Sequence, residues 1–350
     1  MAEWFDESLL DDPDALARGD GVLRQLAEAG ARVRREAVES AESVEAAVAS
    51  LKDDRPRTVI AAGPDSRLLR AVLEPSCPVP FVAWPHPGLP GWAGTLDLVV
   101  VLAPDGSDPV SAAAVAEAVR RGSQVVVACP PDSLVARHAA GRHVSLLPAT
   151  SGDQLATAVV ALQLLSRVDL GPETDPEQVA VALDDVAVSC SPHRDLAVNP
   201  AKMLAIAIAD VTPLFWGGSV LAARAARRVA ESVRRSSGRT ALAGDAEHLL
   251  PVVAAAPVHD VFEDPFADQT GDPGEPVELR PALVVLDDGT DEPAVHEQRR
   301  RLTEEADRRG VRVEALTGSA SGEVARYASL MSQGRYAAAY LGLGLGRLGG

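Results

Sequence analysis

Aromatic side chains are scarce in this sequence. Phe, Trp and Tyr make up 3% of its 350 residues, whereas hydrophobic residues as a whole make up 47%. The apolar content is therefore mainly Ala, Val and Leu, which suits helices packed on sheets better than an aromatic binding platform. Lysine is also scarce, and the formal net charge is −17. A chain this acidic repels polyanions, so neither a nucleic acid nor an anionic membrane is expected as a partner.

Cysteines and long apolar runs are equally few. Cys77, Cys129 and Cys190 have no metal-ligand spacing and form no disulfide framework, so we expect no metal, and we expect no cofactor. No stretch reaches the ~18 to 20 apolar residues that a membrane-spanning helix needs. The first residues are acidic, with none of the basic character of a secretion signal. We therefore expect a cytoplasmic protein.

Short apolar runs alternate with helical periodicity over most of the chain. Strands are predicted at residues 58–62, 79–84, 96–103, 124–129 and 143–147, and again at 213–216, 240–243, 282–286 and 311–316. Connections of this kind imply parallel sheets with right-handed crossovers. Asp108-Pro109 and Asn199-Pro200 each read as a helix N-cap followed by proline. The fold class is therefore α/β, with two doubly wound parallel sheets flanked by helices.

The same pattern sets the expected domains. Residues 1–150 form an N-terminal domain that starts with a helical segment to about residue 54. Linking helices follow over 151–210, and a C-terminal domain covers 211–350, closing with a helix from about Ser321 to Leu341. Residues 261–277 are rich in Asp, Pro and Gly and read as a mobile loop, and the sequence leaves the structure of 243–280 open.

Four local motifs, taken in order, resemble the sugar-isomerase (SIS) family, in particular its bacterial and archaeal bifunctional phosphoglucose/phosphomannose isomerase branch. They are Val59 to Ser66, Leu98 to Gly122, Asn199 to Lys202 with Pro213 to Ser219, and Tyr336 to Leu343. The resemblance implies two SIS-type domains, a sugar phosphate or related small carbohydrate as ligand, and a homodimer. It also implies aldose–ketose isomerisation of glucose 6-phosphate or mannose 6-phosphate without a cofactor.

By this resemblance the ligand-binding residues lie in three turns. They are Gly63, Asp65 and Ser66; Asp105, Gly106 and Ser107; and Gly217, Gly218 and Ser219. In the family the second turn is a Ser/Thr-rich phosphate loop at a helix N-terminus. Here Asp105 replaces a serine and Asp108 replaces the threonine, although Asp108 also reads as a simple N-cap. Either interpretation makes the loop unfavourable for a phosphate.

The proton-handling positions of the branch are also altered. Gln154 stands near the expected arginine, Arg234 or Arg235 near the glutamate, and Glu323 near the lysine. The family's histidine motif has no clear counterpart, and the nearest acid–base pair is Glu247 with His248, which we predict as the catalytic residues. Adjacent helical residues point in different directions, so a surface pair is the competing interpretation.

Three functional readings stay open. The chain is an active phosphoglucose/phosphomannose isomerase, or a non-catalytic SIS module that binds a sugar or sugar nucleotide or regulates an enzyme. In the third reading the fold has turned to another ligand, with a neutral or cationic group that suits Asp65, Asp105 and Asp108. The altered residues favour a degenerate catalytic set.

Overall fold

In the computed structural model, residues 4–52, 55–257, 279–318 and 320–348 are described. They contain nine strands. These are β1 Thr58–Ala62, β2 Phe81–Trp84, β3 Asp97–Leu102, β4 Gln124–Cys129, β5 Val144–Pro148, β6 Thr212–Gly217, β7 Leu242–Ala243, β8 Pro281–Asp287 and β9 Val313–Thr317. All nine predicted strands are present, and β1 and β4 have the predicted bounds. The predicted 261–277 loop lies outside the described residues.

Twelve helices of the described part surround these strands. They are α1 Pro13–Ala27, α2 Ala29–Leu51, α3 Ser66–Leu73, α4 Pro109–Arg121, α5 Leu134–His138, α6 Gln154–Arg167, α7 Pro176–Ser189, α8 Pro200–Ala207, α9 Val220–Ser237, α10 Ala246–Ala255, α11 Pro293–Arg309 and α12 Glu323–Gly344. The last of them is the predicted closing helix, which begins two residues later and ends three residues later than expected.

The strands form two parallel sheets, which confirms the predicted fold class. The first sheet has the order β2-β1-β3-β4-β5 and the second has the order β7-β6-β8-β9. In the first sheet every residue of β1 and β3 is buried, as their largely apolar runs predicted, and the buried Asp97 carboxylate of β3 is paired with Arg57. A parallel sheet with helices on both faces needs such strands because neither face meets water.

The chain divides into two compact units. The described residues of Glu28–Asp184 and Ala320–Ala325 form the first unit, which contains the five-stranded sheet. Those of Met1–Ala27, Asp185–Ser319 and Arg326–Gly350 form the second unit, which contains the four-stranded sheet. The domain boundaries near residues 150 and 211 stay a prediction.

A fully buried lysine fixes the start of α8 in the second unit. Asn199 caps this helix by accepting from the backbone N–H of Lys202 at 3.1 Å, as the Asn-Pro motif predicted. The Lys202 ammonium donates to Asp11 Oδ1 at 2.6 Å and to the carbonyl oxygens of Pro192 and Arg194 at 2.9 and 3.1 Å. A buried charge is tolerated only when its donors are satisfied, and here all three are.

We predict that Lys202→Met lowers the free energy of unfolding by about 2 kcal/mol, because three acceptors lose a charged donor. Chemical denaturation of the full chain measures this loss. Lys52 is the other lysine and is exposed, so Lys52→Met serves as the matched control and should change stability by less than about 0.5 kcal/mol. Equal effects of the two substitutions would contradict this assignment.

Candidate functional site

Each sheet has one place where the strand order reverses direction. In the first unit the chain runs from β1 to β2 on one side and then to β3 on the other. In the second unit it runs from β6 to β7 and then to β8 on the opposite side. In open parallel sheets, ligands bind in the crevice at the carboxyl ends of the strands at such a point. We call these places the first switch point (residues 63–66 and 103–108) and the second switch point (residues 217–219 and 287–291).

The fold brings six of the predicted ligand-binding residues to the first switch point. β1 and β3 are paired in register, with Ala62 opposite Val101, so the turns that follow them lie at the same edge. Gly63 has φ +90°, and a Cβ there would lie 2.8 Å from Ser111 Oγ. Gly106 has φ +63°, and a Cβ there would lie 2.2 Å from Ser133 Cβ. Only glycine fits either turn.

Asp108 is the N-cap residue of α4. Its carboxylate accepts from the Ser111 backbone N–H at 2.7 Å and from the Ser111 hydroxyl at 2.6 Å. The predicted N-cap is therefore confirmed. A carboxylate in this position also satisfies the positive end of the helix, which is the feature that attracts an anion to a helix N-terminus.

Asp65 and Asp105 add two more carboxylates to this edge. The Gln154 amide donates a short hydrogen bond to Asp65 Oδ1. Asp105 is exposed, and its Oδ1 lies 3.6 Å from the place that a Cβ on Gly152 would occupy. The loop after β5 therefore approaches the turns after β1 and β3. Ser107 is exposed.

Sequence reasoning missed the residue that holds the loop after β5. Glu36 is fully buried on α2, and its carboxylate accepts from the backbone N–H of Thr150 at 2.9 Å and of Ser151 at 2.7 Å. Gln154, the partner of Asp65, follows this loop as the first residue of α6, so Glu36 helps to position it. A glutamate on the apolar face of α2, between Val33 and Val44, was the available signal.

Ser66 has an unsatisfied hydroxyl at the start of α3. The residue is 1% exposed, and its Oγ has no hydrogen-bond partner among the described residues. A buried hydroxyl without a partner is destabilising, so a ligand or water that hydrogen-bonds to it would stabilise the turn. Ser66 is therefore the member of the first switch point whose geometry most favours ligand contact.

At the second switch point, packing accounts for the glycines. A Cβ on Gly217 would lie 2.2 Å from the backbone of Ala222, and one on Gly218 would lie 2.2 Å from Val295 Cγ1. Ser219 caps α9 by accepting from the Ala222 N–H at 2.9 Å. Its hydroxyl also donates a short hydrogen bond to Asp288, which the sequence had not singled out.

A cleft of about 290 Å³ opens beside these residues in the second unit. Its polar lining includes Asp287, Asp288, Asp291, His296 and Arg299. The Arg299 guanidinium donates to Asp287 Oδ2 at 2.6 Å. Burial acts to raise the pKa of the Asp287 carboxyl, but the Gly289 N–H and the Arg299 charge together hold it below its usual range. Asp287 is therefore ionised in neutral solution.

The predicted acid–base pair lies on the surface at the start of α10. Arg301 donates to Glu247 Oε1 at 2.7 Å, and the His248 side chain is 81% exposed. Neither residue lines the cleft of the second switch point. This placement favours the surface-pair interpretation, and a catalytic role for Glu247 and His248 stays a prediction.

Two features are absent from the described residues. None of their helices is both long and apolar enough to cross a membrane. Within the same residues, no three His, Cys, Asp or Glu side chains are grouped so that they could hold a metal ion.

Residues 197–347 match the family model described as "Bacterial phospho-glucose isomerase C-terminal SIS domain". The matched range includes all four strands of the second sheet and the second switch point. No curated protein matches the sequence.

Two solved structures are similar to this chain in fold. The C-terminal domain of glucosamine-fructose-6-phosphate aminotransferase from Francisella tularensis has a TM-score of 0.62 and 12% identity, covering 93% of this chain and 96% of that one. Tagatose-6-phosphate ketose/aldose isomerase from Escherichia coli has a TM-score of 0.60 and 11% identity, covering 90% of this chain and 92% of that one. At such identities the likeness shows the fold alone.

The cap at α4 gives a direct test of the geometry. Asp108→Ala should lower the free energy of unfolding by about 1 kcal/mol, because the Ser111 N–H loses its acceptor. Asp108→Thr retains a capping oxygen and should cost clearly less. Denaturation midpoints of the two variants measure the difference. If alanine and threonine destabilise equally, Asp108 is not the cap in solution.

Proposed function

We propose that this chain, a SIS-family protein of the phosphoglucose isomerase type, binds a carbohydrate derivative at the first switch point and does not isomerise glucose 6-phosphate or mannose 6-phosphate. The observation that carries the proposal is the Asp108 carboxylate on the Ser111 N–H. It occupies the helix start at which the family resemblance places the sugar's phosphate.

Charge supports this proposal. At about 4 Å and an effective dielectric constant of about 20, each pair of unit charges interacts by roughly 4 kcal/mol. A phosphate dianion at the start of α4 would meet the Asp108 carboxylate and the neighbouring loop residue Asp105. A neutral or cationic ligand avoids this repulsion, and its hydroxyl groups could donate to both carboxylates. We therefore propose a non-phosphorylated sugar derivative as the ligand.

The altered proton-handling positions support the absence of turnover. Gln154 does not titrate, and its amide is bound to Asp65. An arginine stays protonated near neutral pH, and the Arg234 guanidinium donates to the Ala241 carbonyl at 2.6 Å. Neither residue can exchange a proton with the C1 and C2 carbons of a sugar, as the isomerisation requires.

One observation favours the active isomerase as the second candidate. The turn from Gly63 to Ser66 keeps the family's glycine and serine, and the Ser66 hydroxyl lacks a partner among the described residues. A sugar hydroxyl or phosphate oxygen could supply that partner. The retained glycine and serine of this turn favour the isomerase, and the two candidates differ in whether a phosphate is accepted and turned over.

In another form of the non-catalytic hypothesis, the chain pairs with an enzyme and regulates it. We also carry over from the resemblance a cytoplasmic homodimer. Light scattering of the purified chain tests the dimer, and a monomer at micromolar concentration would refute it.

A coupled assay tests the absence of turnover. We expect the wild-type chain to turn over glucose 6-phosphate and mannose 6-phosphate at less than about 1 s⁻¹, below the usual range of enzymes. Faster turnover of either substrate would refute the proposal.

The double variant Asp105→Ser/Asp108→Thr tests the charge argument. Because it restores the residue types of the family loop, it should gain a thermal shift with glucose 6-phosphate that the wild type lacks. Asp132→Ser is the matched control at an acidic position outside the two turns, and it should gain none. If the wild type is stabilised as much as the double variant, the carboxylates do not exclude phosphate.

A further inference from the structure

We propose that the cleft at the second switch point is a second ligand site, which takes a small polyhydroxylated cation of the amino-sugar class. The cleft lies at the carboxyl ends of β6 and β8, where a doubly wound sheet provides its binding crevice. The site belongs to the second unit and depends on none of the residues that carry the proposed function.

The volume of the cleft fits a small ligand. At about 290 Å³ it lies at the lower end of the range for small-molecule pockets, which suits a monosaccharide better than a nucleotide. Trp216 and Val295 supply apolar surface, and the polar groups converge from the turn after β8 and from α11. An apolar wall with a few placed polar groups is the usual composition of a small-ligand pocket.

The charge of the lining selects the sign of the ligand. Three carboxylates, those of Asp287, Asp288 and Asp291, line the cleft with a single arginine, Arg299. The arginine is paired with Asp287 at 2.6 Å, and His296 Nε2 lies 2.9 Å from Asp291 Oδ1. Negative charge is therefore in excess, which opposes a phosphorylated sugar and favours an ammonium group.

Asp288 is the central residue of this site. It is only 9% exposed, and its carboxylate accepts from the Ser219 hydroxyl and from the Thr290 N–H at 3.3 Å. These two neutral donors fix its orientation without neutralising its charge. A carboxylate has about four acceptor positions, so Asp288 keeps capacity for an ammonium or hydroxyl donor. In dinucleotide-binding sheets of this architecture, an acidic residue accepts from a ribose hydroxyl, which is a precedent for this kind of contact.

The start of α9 has a different capping group from the start of α4. α9 is capped by the Ser219 hydroxyl, whereas α4 is capped by the Asp108 carboxylate. Because Ser219 also donates to Asp288, the cap and the cleft carboxylate form one hydrogen-bonded unit. The second switch point therefore holds an oriented carboxylate beside a cleft.

Tryptophan signals allow each switch point to be monitored separately. Trp216 lines the cleft, and Trp84 ends β2 next to the first switch point, where its carbonyl accepts from the Gly63 N–H at 3.0 Å. The full chain labelled with ¹⁵N in its indole groups has four such signals, which Trp→Phe substitutions assign. Glucosamine should shift the Trp216 signal with a Kd of about 10 mM or below, and glucose 6-phosphate should not shift it.

Two variants and a control complete the test. Asp288→Asn should weaken the glucosamine effect on Trp216 by about tenfold or more, because a charged acceptor is lost. The Asp291 side chain is fully exposed, so Asp291→Asn should not destabilise the unit. This substitution should weaken the glucosamine effect on Trp216 by about twofold to fivefold. Asp105→Asn, at the first switch point, should leave it unchanged.

Several outcomes would overturn the second site. No shift of Trp216 with glucosamine, tighter binding of glucose 6-phosphate, or a response that Asp105→Asn removes and Asp291→Asn does not would each do so. A shift of Trp84 alone would support the first switch point and refute the second. A shift of the Trp216 signal alone would support the second site and would count against the proposed binding at the first switch point.

Discussion

The hydrogen bond from the Ser111 N–H to the Asp108 carboxylate is the interaction on which the functional account depends. It is local, spanning three residues, and it follows from an ordinary preference of aspartate for the N-cap position. Its consequence reaches further, because the resemblance to the sugar isomerases places a phosphate at the start of α4. We therefore propose that the carboxylate that stabilises the helix also opposes a phosphorylated ligand.

The two units share an architecture but differ in how they use it. Each has a parallel sheet with a reversal of strand order, a glycine turn and a capped helix. In the first unit the Asp108 carboxylate caps α4 and the Asp65 carboxylate accepts from Gln154. In the second unit Ser219 provides the cap, and Asp288 remains beside an open cleft. We propose that electrostatics disfavours phosphate at both switch points, and the second has a cleft with an oriented acceptor.

The features that sequence predicted well are those set by neighbours along the chain. Short, largely apolar runs predicted the buried strands β1 and β3, and the Asp-Pro and Asn-Pro pairs predicted the caps of α4 and α8. The turns at the strand ends lie together because parallel strands finish at a common edge, and their role in binding stays a prediction. In each case the physical cause acts within a few residues.

The features that sequence missed arise from contacts between distant residues. Glu36 bonds to a loop more than 110 positions away, and Asp288 meets Ser219 across 69 positions. Only Glu36 had a local signal, its place on the apolar face of α2, whereas the sequence around Asp288 does not distinguish it from a surface carboxylate. Conversely, the Glu247-His248 pair looked suitable for acid–base chemistry because the residues are adjacent, but adjacency gave no information on burial.

The most direct measurement is a crystal structure of the chain grown with excess glucose 6-phosphate. The account predicts that the Asp108 carboxylate stays on the Ser111 N–H and that no phosphate occupies the turn from Ala103 to Asp108. A phosphate bound to the Ser111 N–H, with the Asp108 side chain displaced from the helix start, would contradict it.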